Sequence, residues 1–225
     1  MSTSPKFTSK EELIEFVKAH CYSEITPEFI SSLTTQSGNT QSVERKAIAK
    51  LRKIFNKLNL KFEEAGSQQS KDFRNIHDES CPDINFDLEV KKTDGTTIMF
   101  NDTCPNENIE YITLHTGKHY KTKDDIPPQI IWINGGVFIE NATWLPEYKR
   151  IIEELKNKYG RGKNGSRNMP GMIQVYPRPN YSADISTLIH IPTQEEHTDI
   201  QEEQTDIQEE HTDIQEEHTD EEMIL

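Results

Sequence analysis

Apolar residues recur at the three- and four-residue spacing of a helix in four parts of the chain. Ser9 followed by Glu12 is a capping-box sequence at the start of the first part, and Pro27 suits the first turn of the second. The third part has the longest pattern, and Glu44 stands in register with its apolar residues, at the rim of that face. The predicted helices span residues 9–20, 27–33, 42–60 and 146–159.

Alternating apolar and polar residues predict strands between the third and fourth helices. The clearest case is 86–91, where three apolar residues alternate with Asp87, Glu89 and Lys91. A period of two buries the apolar residues on one face and places the charged residues side by side on the other. The turn at 93–96 predicts that residues 97–100 return beside this strand as a hairpin. Further strands are predicted at 61–66, 109–115, 130–133 and 172–176.

The net charge of −14 is unevenly distributed, and this changes what it implies. Fourteen of the 39 acidic residues lie within 194–225, which has no Lys or Arg, so the other 25 balance the 25 bases of residues 1–193. The acidic segment is a seven-residue repeat with a single Ile per repeat, too few apolar positions for a coiled coil. We predict one globular domain over 1–193 and a disordered acidic tail over 194–225. Acidity therefore does not argue against a nucleic-acid partner.

Cysteine usage and hydropathy indicate a cytoplasmic protein without a membrane partner. The three cysteines include no closely spaced pair, which argues against a disulfide scaffold and against a cysteine zinc site. The N-terminus has no signal-peptide pattern. No stretch approaches the roughly 18–20 apolar residues that a membrane helix needs.

Four charged residues in order along the chain suggest a metal-dependent hydrolase. Glu44 lies on the third helix, Asp72 follows a polar turn, and Glu89 and Lys91 share one strand. Carboxylate oxygens suit Mg²⁺, which binds through one or two carboxylates together with phosphate oxygens and water. The cation would neutralise charge on a scissile phosphate. The Lys91 ammonium could favour deprotonation of a water molecule or stabilise the developing oxyanion.

This arrangement resembles the PD-(D/E)xK nuclease superfamily, and within it the type II restriction endonucleases. The resemblance covers about 42–133, the expected catalytic core, while 146–178 adds a helix and a basic loop. It implies an α/β fold, with a mixed central β-sheet flanked by helices. It also implies Mg²⁺-dependent, sequence-specific hydrolysis of double-stranded DNA by a homodimer. Asp72 and Glu89 would hold the metal, and Glu44 and Lys91 would complete the catalytic set.

The identity of the motif aspartate stays open at this stage. Asp72 follows Lys71 where the superfamily pattern has proline, whereas Asp83 follows Pro82. Only six residues separate Asp83 from Glu89, which leaves little chain for two strands and a turn, so spacing favours Asp72. Asp87 is a third candidate, on the same strand face as Glu89.

The basic segment 118–123 and the basic loop 161–167, with Arg178 after them, are the predicted DNA contacts. Lys commonly contacts phosphate, and Arg can recognise guanine. The segment 160–165 matches the Gly-x-Gly-x-x-Gly spacing, but a helix precedes it and no helix is predicted after it, so it does not indicate a dinucleotide site. The exposed basic face of the third helix could also meet phosphates. The candidate DNA-binding residues are Lys118, Lys121, Lys123, Arg161, Lys163, Arg167 and Arg178.

The sequence supports one principal function and two alternatives. The principal hypothesis is a restriction-type endonuclease, for which a cognate DNA methyltransferase acting on the same site is an expected partner. The first alternative is a structure-specific repair or recombination nuclease of the same superfamily. The second is a non-enzymatic interaction protein whose acidic tail binds a basic partner.

Overall fold

The structure is a computed structural model that describes residues 7–33, 40–64, 71–101, 104–117, 126–159 and 180–190. The chain divides into two units, Met1–Ile189 and His190–Leu225, and His190 is the one residue of the second unit that is described. The predicted acidic tail therefore lies outside the described residues, as does the strand predicted at 172–176. Within the described residues, no helix is both long enough and apolar enough to cross a membrane.

The described residues contain five helices, and side-chain caps define the starts of the first two. The helices are α1 (Lys10–Glu24), α2 (Pro27–Ser31), α3 (Thr40–Lys57), α4 (Gly136–Ile139) and α5 (Leu145–Tyr159). Ser9 caps α1, because its Oγ accepts a 3.2 Å hydrogen bond from the Glu12 N–H. Thr26 caps α2 in the same way, with a 3.3 Å bond from the Phe29 N–H. The four helices predicted from periodicity are confirmed, although their ends differ by several residues.

The described strands form a five-stranded mixed sheet and a separate two-stranded sheet. They are β1 (Leu60–Glu64), β2 (Phe73–Asp78), β3 (Asn85–Thr93), β4 (Thr97–Asn101), β5 (Ile109–His115), β6 (Gln129–Asn134) and β7 (Asn180–Asp184). The larger sheet has the order β1-β2-β3-β5-β6, in which β3 and β5 are parallel and the other neighbours are antiparallel. The described part of the chain is thus a mixed α/β structure with a five-stranded central sheet flanked by helices.

Apolar side chains lie on both faces of the larger sheet and form two cores. Leu88 and Ile112 belong to the first core, together with apolar residues of α1, α2 and α3. Tyr111 and Ile133 belong to the second, together with residues of β4, β7 and α4. β5 is buried along its whole length because it has a core on each side. This double burial is typical of a strand with a parallel neighbour.

The predicted hairpin between β3 and β4 is wrong. β3 pairs in parallel with β5, and β4 pairs antiparallel with β7 in the smaller sheet. The turn itself forms, since Thr93 Oγ1 accepts a 3.1 Å bond from the Gly95 N–H and donates a 2.7 Å bond to the Thr97 carbonyl. β4 leaves the larger sheet after this turn because Ile98 and Phe100 are buried in the second core. In that position they cover one face of the sheet.

The helical spacing in α5 predicts that Tyr148, Ile151, Ile152 and Leu155 turn inward, and this prediction is wrong for two of them. Ile151 and Leu155 are 41% and 37% exposed, and Leu145 is the one described residue of the helix that is buried. The helical period shows which side chains share a face. It does not show which element covers that face.

Aromatic rings form the centre of the second core. Phe100 is fully buried and meets Tyr111, Phe138 and Tyr181 at centroid distances of 5.3, 5.4 and 5.8 Å. Each of these three contacts is edge-on, which is a favourable geometry for aromatic pairs. Phe100 therefore joins the smaller sheet to the face of the larger one.

We expect Phe100→Ala to lower the free energy of unfolding by about 3–5 kcal/mol, because it removes a fully buried ring and leaves a cavity. Urea unfolding followed by circular dichroism measures this loss. Met99→Ala is the matched control, since Met99 neighbours Phe100 on β4 but is 45% exposed. Its effect should stay within about 0.5 kcal/mol. Equal losses in the two variants would contradict the packing described for β4.

Candidate active site

β3 places Glu89 and Lys91 on one face of the larger sheet. Phe86 and Leu88 are buried in the first core and Val90 packs partly against it, as the alternation predicts. Glu89 and Lys91 lie on the opposite face, where the Lys91 ammonium donates a hydrogen bond to Glu89 Oε1. Their side chains are only 11% and 15% exposed, so this is a mostly buried ion pair.

Asp72 lies immediately before β2 and is held against the same part of β3. Its N–H donates a 3.2 Å bond to the Leu88 carbonyl, and its Oδ2 accepts a 2.7 Å bond from the Val90 N–H. These two bonds bracket Glu89. The structure therefore brings Asp72 next to the Glu89–Lys91 pair, although Glu89 lies seventeen residues after Asp72 in the sequence.

Glu44 approaches the same group from α3. It lies near the first turn of that helix, between the buried residues Val43 and Ala47, and is itself exposed. Its charge contributes to raising the pKa values of both Asp72 and Glu89. Glu44 therefore belongs to the electrostatic surroundings of Asp72 and Glu89.

Burial raises the pKa values of two acids of this group, Asp72 and Glu89. Burial is the main cause that raises the pKa of Glu89 above its ordinary value of 4.5; the Lys91 charge and hydrogen bond oppose the rise, and Asp72 and Glu44 add to it. Burial also raises the pKa of Asp72 above 3.8, against the bond from Val90. Three carboxylates face one ammonium, so the ionised group has an excess of negative charge.

Two aromatic residues that the sequence reasoning missed surround the Lys91–Glu89 pair. The Lys91 ammonium lies 4.9 Å from the centroid of the Phe100 ring, a cation–π contact. Tyr111 is the register partner of Glu89 on β5, and its hydroxyl accepts a 3.2 Å bond from the Asn106 N–H. The alternation within 97–100 and 109–115 marks both aromatics as buried. It does not reveal that β4 and β5 bring them to the charged face of β3.

The two alternative acids have other surroundings. Asp83 is exposed in the turn before β3, and Glu89 is about 13 Å along the strand from Asn85, where β3 begins. Asp83 is not among the charges that influence Glu89. Asp87 binds the Lys71 ammonium and accepts a 2.9 Å bond from the Asn75 N–H, so its carboxylate has local partners.

The predicted DNA-binding residues lie outside the described part of the chain. This holds for the segment with Lys118, Lys121 and Lys123, and for the loop with Arg161, Lys163 and Arg167. It also holds for Arg178. Their proposed contacts remain predictions.

Asp72 and Glu89 are the carboxylates of the group that could hold a cation. In the described ranges, no group of three or more His, Cys, Asp and Glu side chains is arranged to hold a metal ion. A cation here would use the carboxylates of Asp72 and Glu89 and fill its other positions with water and substrate oxygens, which is how Mg²⁺ commonly binds. The excess negative charge of the group favours such an ion.

Comparison with known proteins gives no relative. No family model, curated protein or solved structure matches the chain. Two mostly buried carboxylates beside a partly desolvated ammonium can bind a divalent cation, orient a water molecule and stabilise negative charge on a phosphate.

Proposed function

We propose that this protein is a Mg²⁺-dependent endonuclease that hydrolyses phosphodiester bonds in double-stranded DNA, of the PD-(D/E)xK type. The observation that carries the proposal is the grouping of Asp72, Glu89, Lys91 and Glu44. These are the residues that the resemblance assigns to the catalytic set. The five-stranded mixed sheet flanked by helices supports a restriction-endonuclease-like fold.

Each residue has a role that its surroundings support. Asp72 and Glu89 would hold the cation. Burial raises the pKa of each carboxyl, and a bound cation would favour the ionised forms. When bound, the cation would neutralise charge on the phosphate and acidify a water molecule. Glu44, exposed at the rim, can accept a hydrogen bond from a water molecule at the site. Lys91 would donate to the attacking oxygen or to the phosphate.

The reaction is the addition of water across a phosphodiester bond. The attacking oxygen forms a bond to phosphorus, the bond from phosphorus to the leaving sugar oxygen breaks, and the leaving oxygen gains a proton. Positioning and electrostatic stabilisation supply most of the catalysis in phosphoryl transfer. Residues on a strand are suited to this task because backbone hydrogen bonds fix their spacing.

Incubating the purified full-length chain with supercoiled plasmid and Mg²⁺ tests the proposal. We expect linear DNA and then a discrete fragment pattern, abolished by EDTA and by Glu89→Gln. Glu107→Gln is the matched control, because Glu107 is an exposed carboxylate outside the site, and it should cut as the wild type does. A folded protein that cuts neither plasmid nor branched DNA in Mg²⁺ or Mn²⁺ would refute the proposal.

The same assay separates the two nuclease types. Discrete fragments support a restriction-type enzyme, for which we propose a homodimer and a cognate methyltransferase that protects the same site. Cutting of branched or nicked DNA without a fixed plasmid pattern supports a repair or recombination nuclease. Light scattering of the protein with a duplex that contains its cleavage site measures the expected dimer.

A further inference from the structure

Arg74 on β2 is a partly buried cation without a partner in the described part of the chain. Its Nε is buried and has no hydrogen-bond acceptor there. Its cross-strand neighbour is Glu63, but these two described residues form no ion pair. Burial of a guanidinium N–H without an acceptor is unfavourable, so it is uncommon in folded proteins.

An irregularity in strand pairing positions Arg74. Phe73 pairs with Leu88 and Ile76 pairs with Phe86, so Arg74 and Asn75 together stand opposite the single residue Asp87. Two residues opposite one is a β-bulge, and bulges commonly re-aim side chains beside active sites. Asn75 has a φ of 50°, which Asn tolerates better than most residues. Its N–H donates to Asp87 Oδ1, which fixes the bulge.

The bulge lies beside the candidate active site. Phe73 is buried in the first core, and neighbouring strand residues project to opposite faces. Arg74 therefore projects from the face on which Asp87 and Glu89 lie. Only Phe73 separates it from Asp72 in the chain. The Asp87 carboxylate pairs with the Lys71 ammonium, and among the described residues no ion pair joins it to Arg74.

We propose that Arg74 binds a phosphate of the DNA backbone next to the cleaved bond. This rests on the proposed function. Asp72, Glu89 and Lys91 would act on the phosphate that is cleaved. Arg74 carries its positive charge one strand away on the same face, where it would meet the next phosphate along the DNA backbone. Arginine pairs well with phosphate because its planar donors match two oxygens. Because the Nε is buried while the residue is partly exposed, the phosphate would meet the terminal guanidinium nitrogens.

Salt-dependent DNA binding in EDTA tests the proposal without cleavage. Binding of a labelled duplex is measured by anisotropy between about 50 and 200 mM salt. We expect Arg74→Gln to bind about tenfold more weakly and to reduce the slope of log K against log salt by about one. Arg74→Lys should keep the slope, since it keeps the charge. Arg150→Gln is the control, because Arg150 is exposed and paired with Glu154.

Stability distinguishes a binding role from a structural one. Because the Arg74 Nε has no partner in the folded chain, Arg74→Gln should unfold at the same or a higher urea concentration. A fall in the midpoint comparable to that of Phe100→Ala would overturn the proposal. So would an unchanged affinity and slope in Arg74→Gln while the wild type binds duplex.

The two proposals fail in different ways. If the wild type binds DNA through Arg74 but cuts no substrate in Mg²⁺, the nuclease proposal fails and the phosphate contact stands. If the wild type cuts DNA and Arg74→Gln binds and cuts equally well, the phosphate contact fails alone. A wild type that does not bind duplex in EDTA overturns the phosphate contact, and the cleavage assay alone decides the nuclease proposal.

Discussion

Lys91→Met is expected to slow DNA cleavage by about 10²–10⁴-fold while preserving most of the DNA affinity. The ammonium lies between Glu89 Oε1 and the face of Phe100, where it is largely removed from water and acts strongly on nearby charge. Methionine is similar in length to lysine and keeps an apolar side-chain stem. The measurement is the single-turnover rate on a short duplex in saturating Mg²⁺, beside binding of the same duplex in EDTA.

Lys92→Met controls for the loss of a positive charge on the same strand. Lys92 is exposed and projects to the face opposite Lys91, so its substitution should leave the rate within about twofold. Glu89→Gln should be as slow as Lys91→Met, and combining the two should add little, because residues of one catalytic unit are not additive. A Lys91→Met protein that cuts at the wild-type rate would exclude Lys91 from the reaction.

Lys91→Met is also expected to lower the free energy of unfolding by about 3 kcal/mol at neutral pH without metal, because it leaves a buried carboxylate unpaired. Asp72 and Glu44 add to the repulsion on Glu89. Glu89→Gln in the Lys91→Met background should recover much of the loss. This double-mutant cycle isolates the coupling between the two side chains. Urea unfolding of the four proteins in EDTA measures it.

The pH dependence of the loss has a defined sign. The folded-state pKa values of Asp72 and Glu89 lie above their ordinary values of 3.8 and 4.5. A carboxyl group whose pKa is raised by folding contributes stability that is fully present below its ordinary pKa. This stability is lost as pH rises through the pKa of the folded state. The Lys91→Met penalty should therefore be small near pH 4 and grow above the ordinary values. A penalty that is constant with pH would show that lost packing, not charge, causes it.

Local patterns predicted the part of the site that depends on one strand. The alternation in 86–91 correctly separates the buried Phe86 and Leu88 from Glu89 and Lys91, because a strand imposes a period of two. Spacing favoured Asp72 over Asp83, and the structure places Asp72 beside Glu89. Both inferences depend on short stretches of chain.

Features that depend on pairing between distant segments were not predictable in this way. The β3–β4 turn looked like a hairpin, but β5 occupies the edge of β3 and β4 crosses to a second sheet. Phe100 and Tyr111 reach Lys91 and Glu89 only through this arrangement. Arg74 depends on a bulge, and one extra residue in a strand leaves no periodic signal. The exposed apolar face of α5 likewise depends on what covers a helix.

The bond between the Val90 N–H and Asp72 Oδ2 affects how substitutions at position 72 should be interpreted. The Asp72 carboxylate accepts a hydrogen bond that a backbone carbonyl of a neighbouring strand accepts elsewhere in a sheet. Asp72 therefore carries charge and also fixes the backbone of β3 between Glu89 and Lys91. Alanine at this position removes both contributions at once, and its inactivity would not identify a metal ligand. Asparagine retains a carbonyl acceptor for Val90 and deletes only the charge. The difference in activity between the alanine and asparagine variants, and not the activity of either one alone, separates metal coordination from a structural role.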